Sequence, residues 1–253
     1  MKIGFTTTTF RNIKDVRKIC DIAVNAGVNC IEWGADVHVK NAETAEYVYS
    51  LCAERNIEIS SYASYYKVGS SNETEWESIC RTARALNASS VRVWLGKKDS
   101  EKTDEKTYMQ ILRDAESMCK TAEKYSLIVC PECHDNTFNN NTDAFLRIKK
   151  DVGCDNFRTY FQSRYKKLGY DLDRIERTLP YIESVHISFS ELRREQFPKY
   201  EPIYMDKLLD KLLECGFDGN LLLEYTYLWG RYGIVSCMEK DILKLKEKVG
   251  IIK

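Results

Sequence analysis

Four polar residues stand at or near the ends of otherwise apolar runs. LIVCPE (127–132) ends in Glu132, RTYFQ (158–162) in Gln162, SVHIS (184–188) carries His186 and LLLEY (221–225) carries Glu224. A carboxylate at the mouth of a hydrophobic strand is costly to bury unless something positive meets it. Two converging carboxylates raise that cost, because they repel each other or must share a proton. Two carboxylates, an imidazole and an amide oxygen together are a donor set for a hard-to-borderline divalent cation, and Mn, Mg, Co or Zn would suit it. The bland alternative is a salt bridge from Arg92, in VRVWL (91–95), with His186 merely hydrogen-bonded. Glu32, in CIEW (30–33), would compete for that one guanidinium, and this favours the ion.

The spacing says what must position these residues. Glu132, Gln162, His186 and Glu224 are separated by 30, 24 and 38 residues, each about one strand–helix unit. Four further apolar runs precede them: IGFTT (3–7), CIEW (30–33), IEISSY (57–62) and VRVWL (91–95). Between the runs lie helical patterns such as KDVRKICDIAVNAG, AETAEYVYSLCAER and MDKLLDKLLECG, the first and last stopping on glycine. Eight strands, each followed by a helix, with no Pro- or Ser-rich linker, predict one (β/α)8 TIM barrel spanning residues 1–253. A doubly wound open sheet would need a glycine-rich phosphate loop after its first strand, where this chain reads TTTTFRN. Splitting each strand by parity puts Glu32, Arg92, Glu132, Gln162, His186 and Glu224 inside the barrel. So much polarity fits only the C-terminal mouth, where active sites of this fold lie.

Composition narrows the function classes. Lys+Arg and Asp+Glu both total 38, so no long-range field would gather nucleic acid or a membrane surface. The N-terminus lacks a signal-peptide h-region, no run is long enough to span a bilayer, and the ten dispersed cysteines read as reduced core thiols. The expectation is a cytoplasmic protein with a small-molecule partner, open to homo-oligomerisation. Cys130 and Cys133 form a lone C-x-x-C without the second pair that a zinc ribbon needs.

The motifs EWGADVHV (32–39), SYASYYKVG (61–69), VRVWLG (91–96), PECHDNT (131–137), TYFQ (159–162), VHIS (185–188) and LLLEYT (221–226) resemble, in order and spacing, the xylose-isomerase-like barrel superfamily, and within it the sugar phosphate isomerase/epimerase branch. The resemblance covers nearly the whole chain. It implies a metal held by Glu132, Gln162, His186 and Glu224, with the two glutamates exchanging protons at the carbons flanking the carbonyl. Epimerases of the tagatose type typically carry Asp on strand six and a His three residues on, where this chain has Gln162 and Tyr165. The neutral ligand should leave the ion a stronger Lewis acid but more weakly bound.

The expected activity is a metal-dependent isomerisation or epimerisation of a small sugar or sugar phosphate. Glu132 and Glu224 would serve as acid and base, with the metal polarising the carbonyl. The first alternative is a metal-dependent dehydratase or lyase of a polyol or keto acid, using the same groups to expel a hydroxyl. An apurinic endonuclease would need a three-metal cluster rich in histidine and a basic face, and the chain has three histidines and zero net charge. A non-catalytic sugar-binding barrel would not need two apposed carboxylates. Substrate contacts are expected from His38, His134, Arg92 and Lys97, with Trp33, Tyr66 and Trp94 as apolar walls against a sugar face.

Overall fold

Apolar runs and amphipathic stretches alternate in the structure as they do in the chain. The structure, a computed structural model, describes residues 1–163, 167–187, 202–225 and 234–251. The strands are β1 (Lys2–Thr6), β2 (Cys30–Gly34), β3 (Glu58–Val68), β4 (Ser90–Leu95), β5 (Ile128–Pro131), β6 (Thr159–Gln162), β7 (Ile182–Ile187) and β8 (Asn220–Leu223). The α-helices among the described residues are α1 (Val16–Ala26), α2 (Ala42–Glu54), α3 (Glu73–Ala85), α4 (Glu105–Glu123), α5 (Thr142–Val152), α6 (Leu168–Thr178), α7 (Pro202–Glu214) and α8 (Ile234–Lys248). Helices α1 to α7 lie in the crossovers between parallel strands and α8 follows β8, as the expected TIM barrel requires.

Local chemistry sets the helix ends. Asp15, Asn41, Asp104 and Asn141 cap α1, α2, α4 and α5 by accepting backbone N–H bonds from Arg17, Thr44, Thr107 and Ala144. Gly27 ends α1 at φ 64°, a left-handed value that costs glycine nothing. None of the described helices is long and apolar enough to cross a membrane.

The strands pair in parallel in the order β5-β4-β3-β2-β1-β8-β7-β6. Between β5 and β6 the ring is closed by two isolated bridges, Val129 with Phe157 and Glu132 with Tyr160, rather than by a continuous ladder. Pro131 explains the gap. It has no N–H to give, and side chains take its carbonyl instead: Asn139 Nδ2 donates to it at 3.0 Å and Thr159 Oγ1 at 2.8 Å.

The barrel interior is layered. Cys30, Cys130, Tyr160 and Leu222 form a small buried apolar plug. Gly4 fits beside it because a Cβ there would stand 2.0 Å from the Cys30 carbonyl oxygen. Two residues further along the same strands, and so on the same inward face, come Glu32, Glu132, Gln162 and Glu224. The opposite parity (Ile31, Trp33, Val91, Val93, Val129, Phe161, Val185, Leu221 and Leu223) joins the main core between sheet and helices. Strand ends differ from expectation mainly in β3, which runs on to Val68 instead of stopping at Tyr62. A register shift between Ala63 and Lys67, with Tyr65 at φ 59°, bends the strand over the mouth.

Candidate metal centre at the barrel mouth

His186 sits at the focus of three carboxylates. Its Nδ1 is 3.4 Å from Glu132 Oε1 and 3.5 Å from Glu224 Oε2, and its Nε2 is 3.3 Å from Glu32 Oε1. One ligand atom each from Glu132, His186 and Glu224 lie within 4.8 Å of one another, and all three residues are buried. Gln162 joins through its amide, with Nε2 donating to Glu224 Oε2 at 3.1 Å. The two oxygens of Glu132 are divided. Oε2 accepts from Arg92 Nη1 and from Trp94 Nε1 (2.8 Å), while Oε1 faces His186.

Arg92 lies 3% exposed between two acids, its Nη2 3.2 Å from Glu32 and its Nη1 against Glu132. The bland salt-bridge reading is therefore present in part: the guanidinium meets Glu132 and also Glu32, the competitor for it, while Glu224 is bonded to Gln162 instead. It does not balance the site. Among the described residues, Glu32, Glu132 and Glu224 face Arg92 and His186, so the layer carries one negative charge with the imidazole protonated and two with it neutral, and Arg11, on the cavity wall, is paired with Asp36. Burial raises the carboxyls of Glu32 and Glu132, yet Arg92 and His186 outweigh it and hold both well below the usual range. Burial pushes the His186 imidazole down, but Glu224, Glu32 and Glu132 raise it to about 10. Glu32 Oε1, Gln162 Oε1 and both His186 ring nitrogens are buried without a well-aligned hydrogen bond. Such a cluster of orphaned donors and acceptors is uncommon in native interiors. The oxygen-and-imidazole donor set and the excess negative charge both fit a divalent cation.

Above the centre opens a cavity of about 240 Å³, lined by Thr8, Arg11, Tyr65, Arg92, Trp94, Glu132, His134, Gln162 and Glu224. Of the expected substrate contacts, Arg92, Trp94 and His134 lie on it. His134 stacks on Trp94 with ring centroids 5.0 Å apart and donates Nδ1–H to the Asp135 carbonyl. The others are placed elsewhere. His38 is buried with Nδ1 on Thr7 Oγ1 (3.0 Å) and Nε2 on the Ile13 carbonyl (2.8 Å), so it secures the β1 and β2 loops. Trp33 is wholly buried on the helix side of β2, against the His38 ring. Tyr66 packs on Trp76, and its hydroxyl accepts from the Asn72 N–H. Lys97 is exposed and does not line the cavity. Tyr165, Ser188 and Thr226 lie outside the described residues.

Sequence reasoning missed three residues on the cavity. Tyr65, and not Tyr66, faces the mouth, on the same parity of β3 as Ser61 and Ala63, which pair with the inward Glu32 and Arg92. Its hydroxyl accepts from Arg11 Nη2 at 2.5 Å and meets Thr8 Oγ1 at 3.2 Å. The alternation in YASYYK could have found Tyr65, whereas Thr8 lies in the short 3₁₀ turn Thr7–Phe10 and Arg11 just after it, where no strand period runs. A larger cavity of about 770 Å³ lies at the N-terminal end of the barrel. Its acids are already paired: Glu58 with Lys2, Glu183 with Arg158 and Asp218 with the Met1 amino group. That face of such barrels serves stability, and active sites of this fold lie at the opposite face, where the smaller cavity is.

Solved structures share this architecture. The probable 3-DHS dehydratase AsbF of Bacillus anthracis superposes with a TM-score of 0.79 at 17% identity, over 97% of this chain and 99% of that one. D-psicose 3-epimerase of Clostridium cellulolyticum H10 gives 0.70 at 14%, over 99% and 97%. D-allulose 3-epimerase of a Methylomonas species gives 0.75 at 12%, over 98% and 97%. At these identities the likeness establishes the fold and not the reaction. No curated protein matches the chain in sequence. The family model described as xylose isomerase-like TIM barrel matches residues 20–233. Barrel, inward polar layer and family model agree, and the chain belongs to the xylose isomerase-like TIM barrel family.

Proposed function

We propose that this chain is a divalent-metal-dependent enzyme that moves a proton beside the carbonyl of a small polyhydroxylated substrate, as a sugar or sugar phosphate isomerase or epimerase. The observation that carries the reading is the convergence of Glu132, His186 and Glu224 at the foot of the mouth cavity, in a layer whose three carboxylates outnumber Arg92 and a protonated His186. Glu132 Oε1, His186, Glu224 and the Gln162 amide would hold the ion; bound there, it would supply Lewis acidity toward a carbonyl oxygen. Glu224 lines the cavity with Gln162 as its neighbour, placed to take or return a proton on the substrate. Trp94 and His134 offer one continuous ring surface against which a sugar face can lie. The epimerase neighbours and the charge-balanced surface agree with a small carbohydrate rather than nucleic acid.

A second reading, a dehydratase of a polyol or keto acid, is favoured by the two donors on Glu132. With Arg92 and Trp94 on Oε2, Glu132 is weakened as a proton acceptor, and a β-elimination needs only one strong base. Incubation of metal-loaded protein with a panel of ketoses, sugar phosphates and cyclic polyol acids in deuterium oxide separates the two. An isomerase or epimerase incorporates deuterium with the carbon skeleton and oxygen count conserved, whereas a dehydratase yields product lighter by one water. No deuterium uptake and no mass loss on any substrate, with metal bound, would sink both readings.

A further inference from the structure

Glu32 does not line the mouth cavity, yet it is wholly buried in the polar layer. Its orientation is fixed from below. Ser61 Oγ donates to Oε2 at 2.8 Å, and the Tyr160 hydroxyl donates to Ser61 at 2.6 Å. That leaves Oε1 facing inward, 3.2 Å from Arg92 Nη2 and 3.3 Å from His186 Nε2. The His186 ring is thus sandwiched by acids of two kinds. Nε2 meets Glu32, whose charge Arg92 shares, while Nδ1 meets Glu132 Oε1 and Glu224 Oε2, on the two glutamates that line the cavity.

We propose that Glu32 is the positioning residue for His186: it accepts the Nε2–H, so that the ring presents Nδ1 toward Glu132 and Glu224 as its metal-binding nitrogen. The inference rests on the metal reading above. A neutral imidazole has two tautomers and two ring orientations, and a buried carboxylate on one nitrogen selects one of each. Arg92 Nη2 lies against the same oxygen, so Glu32 can do this without adding a net charge to the ligand set. Ser61 and Tyr160 keep the carboxylate in place whether or not His186 is protonated.

The test reads the nitrogen that carries the metal, not turnover. Protein labelled with 15N-histidine is loaded with Zn²⁺, and the two His186 nitrogens are assigned by long-range 1H–15N correlation, with Zn²⁺ affinity measured by competition. In the unaltered protein Zn²⁺ should shift Nδ1 and leave Nε2 protonated. Glu32→Gln, whose amide oxygen can still accept from Nε2 while its NH2 meets Ser61, should keep the Nδ1 mode with a small loss of affinity. Glu32→Leu should lose about 10–100-fold in affinity and populate Zn²⁺ on Nε2 as well. Zn²⁺ on Nε2 in the unaltered protein overturns the inference while the metal centre stands, and that measurement needs no variant to fold. Glu32→Leu binding through Nδ1 with unchanged affinity overturns it too. If Zn²⁺ shifts neither nitrogen, the metal reading fails and the inference with it.

Discussion

Each nitrogen of His186 faces a carboxylate, which makes this residue the point where metal and proton compete. Glu32 on β2, Glu132 after β5 and Glu224 after β8 raise its pKa to about 10 against the opposing effect of burial, the Tyr160 ring on β6 packs against it, and Arg92 on β4 reaches it through Glu32 and Glu132. Without an ion the ring therefore stays protonated through neutral pH. A divalent cation on Nδ1 must displace that proton, so apparent metal affinity should rise by about tenfold per pH unit between pH 6.5 and 8.5. Zn²⁺ or Mn²⁺ titrations across that range, with proton release read from the buffer dependence of the binding heat, check the sign. Affinity independent of pH would mean that no proton leaves His186.

The loops and strand ends decide how those side chains are aimed. Pro131 precedes Glu132 and interrupts the β5–β6 ladder, and Asn139, from the short 3₁₀ turn ahead of α5, bridges the gap. Asn139 is itself held by Arg174 Nη2 on α6 at 2.7 Å. Replacing Asn139 by Leu removes one of the two side-chain donors to the Pro131 carbonyl, leaving Thr159 Oγ1, and takes the acceptor from one buried guanidinium nitrogen of Arg174. It should cost about 1–3 kcal/mol of stability, read as a lower urea midpoint at unchanged slope. Metal affinity should weaken in the same variant, because the seam carries the backbone of a ligand. An unchanged midpoint would show that Thr159 alone holds the Pro131 carbonyl.

Across the whole molecule, burial governs reactivity at the cysteines. Cys20, Cys30, Cys52, Cys80, Cys119, Cys130 and Cys133 are buried, and Cys154, Cys215 and Cys237 are half-buried. Burial pushes the Cys30 and Cys80 thiols up to about 12, so few thiolates form there at pH 8. Iodoacetamide on native protein should label Cys154, Cys215 and Cys237 first, and the remaining seven only after denaturation, as peptide mapping would read. Labelling of Cys30 or Cys130 in native protein would mean that the barrel plug opens.

What the amino-acid order determined is what alternation alone can carry. Eight apolar runs at strand–helix spacing are enough for a barrel, and a side-chain period of two is enough to turn Glu32, Arg92, Glu132, Gln162, His186 and Glu224 inward. Those residues are therefore legible as one layer before any coordinates exist. What the tertiary structure decided depends on partners distant in the chain. His38 and Trp33, close to the site in sequence, were claimed by the packing of β1 and β2 against their helices. The division of Glu132 between Arg92, Trp94 and His186 arises only where β4, β5 and β7 meet, because hydrogen bonds between strands depend on register and rotamer, which no single strand encodes.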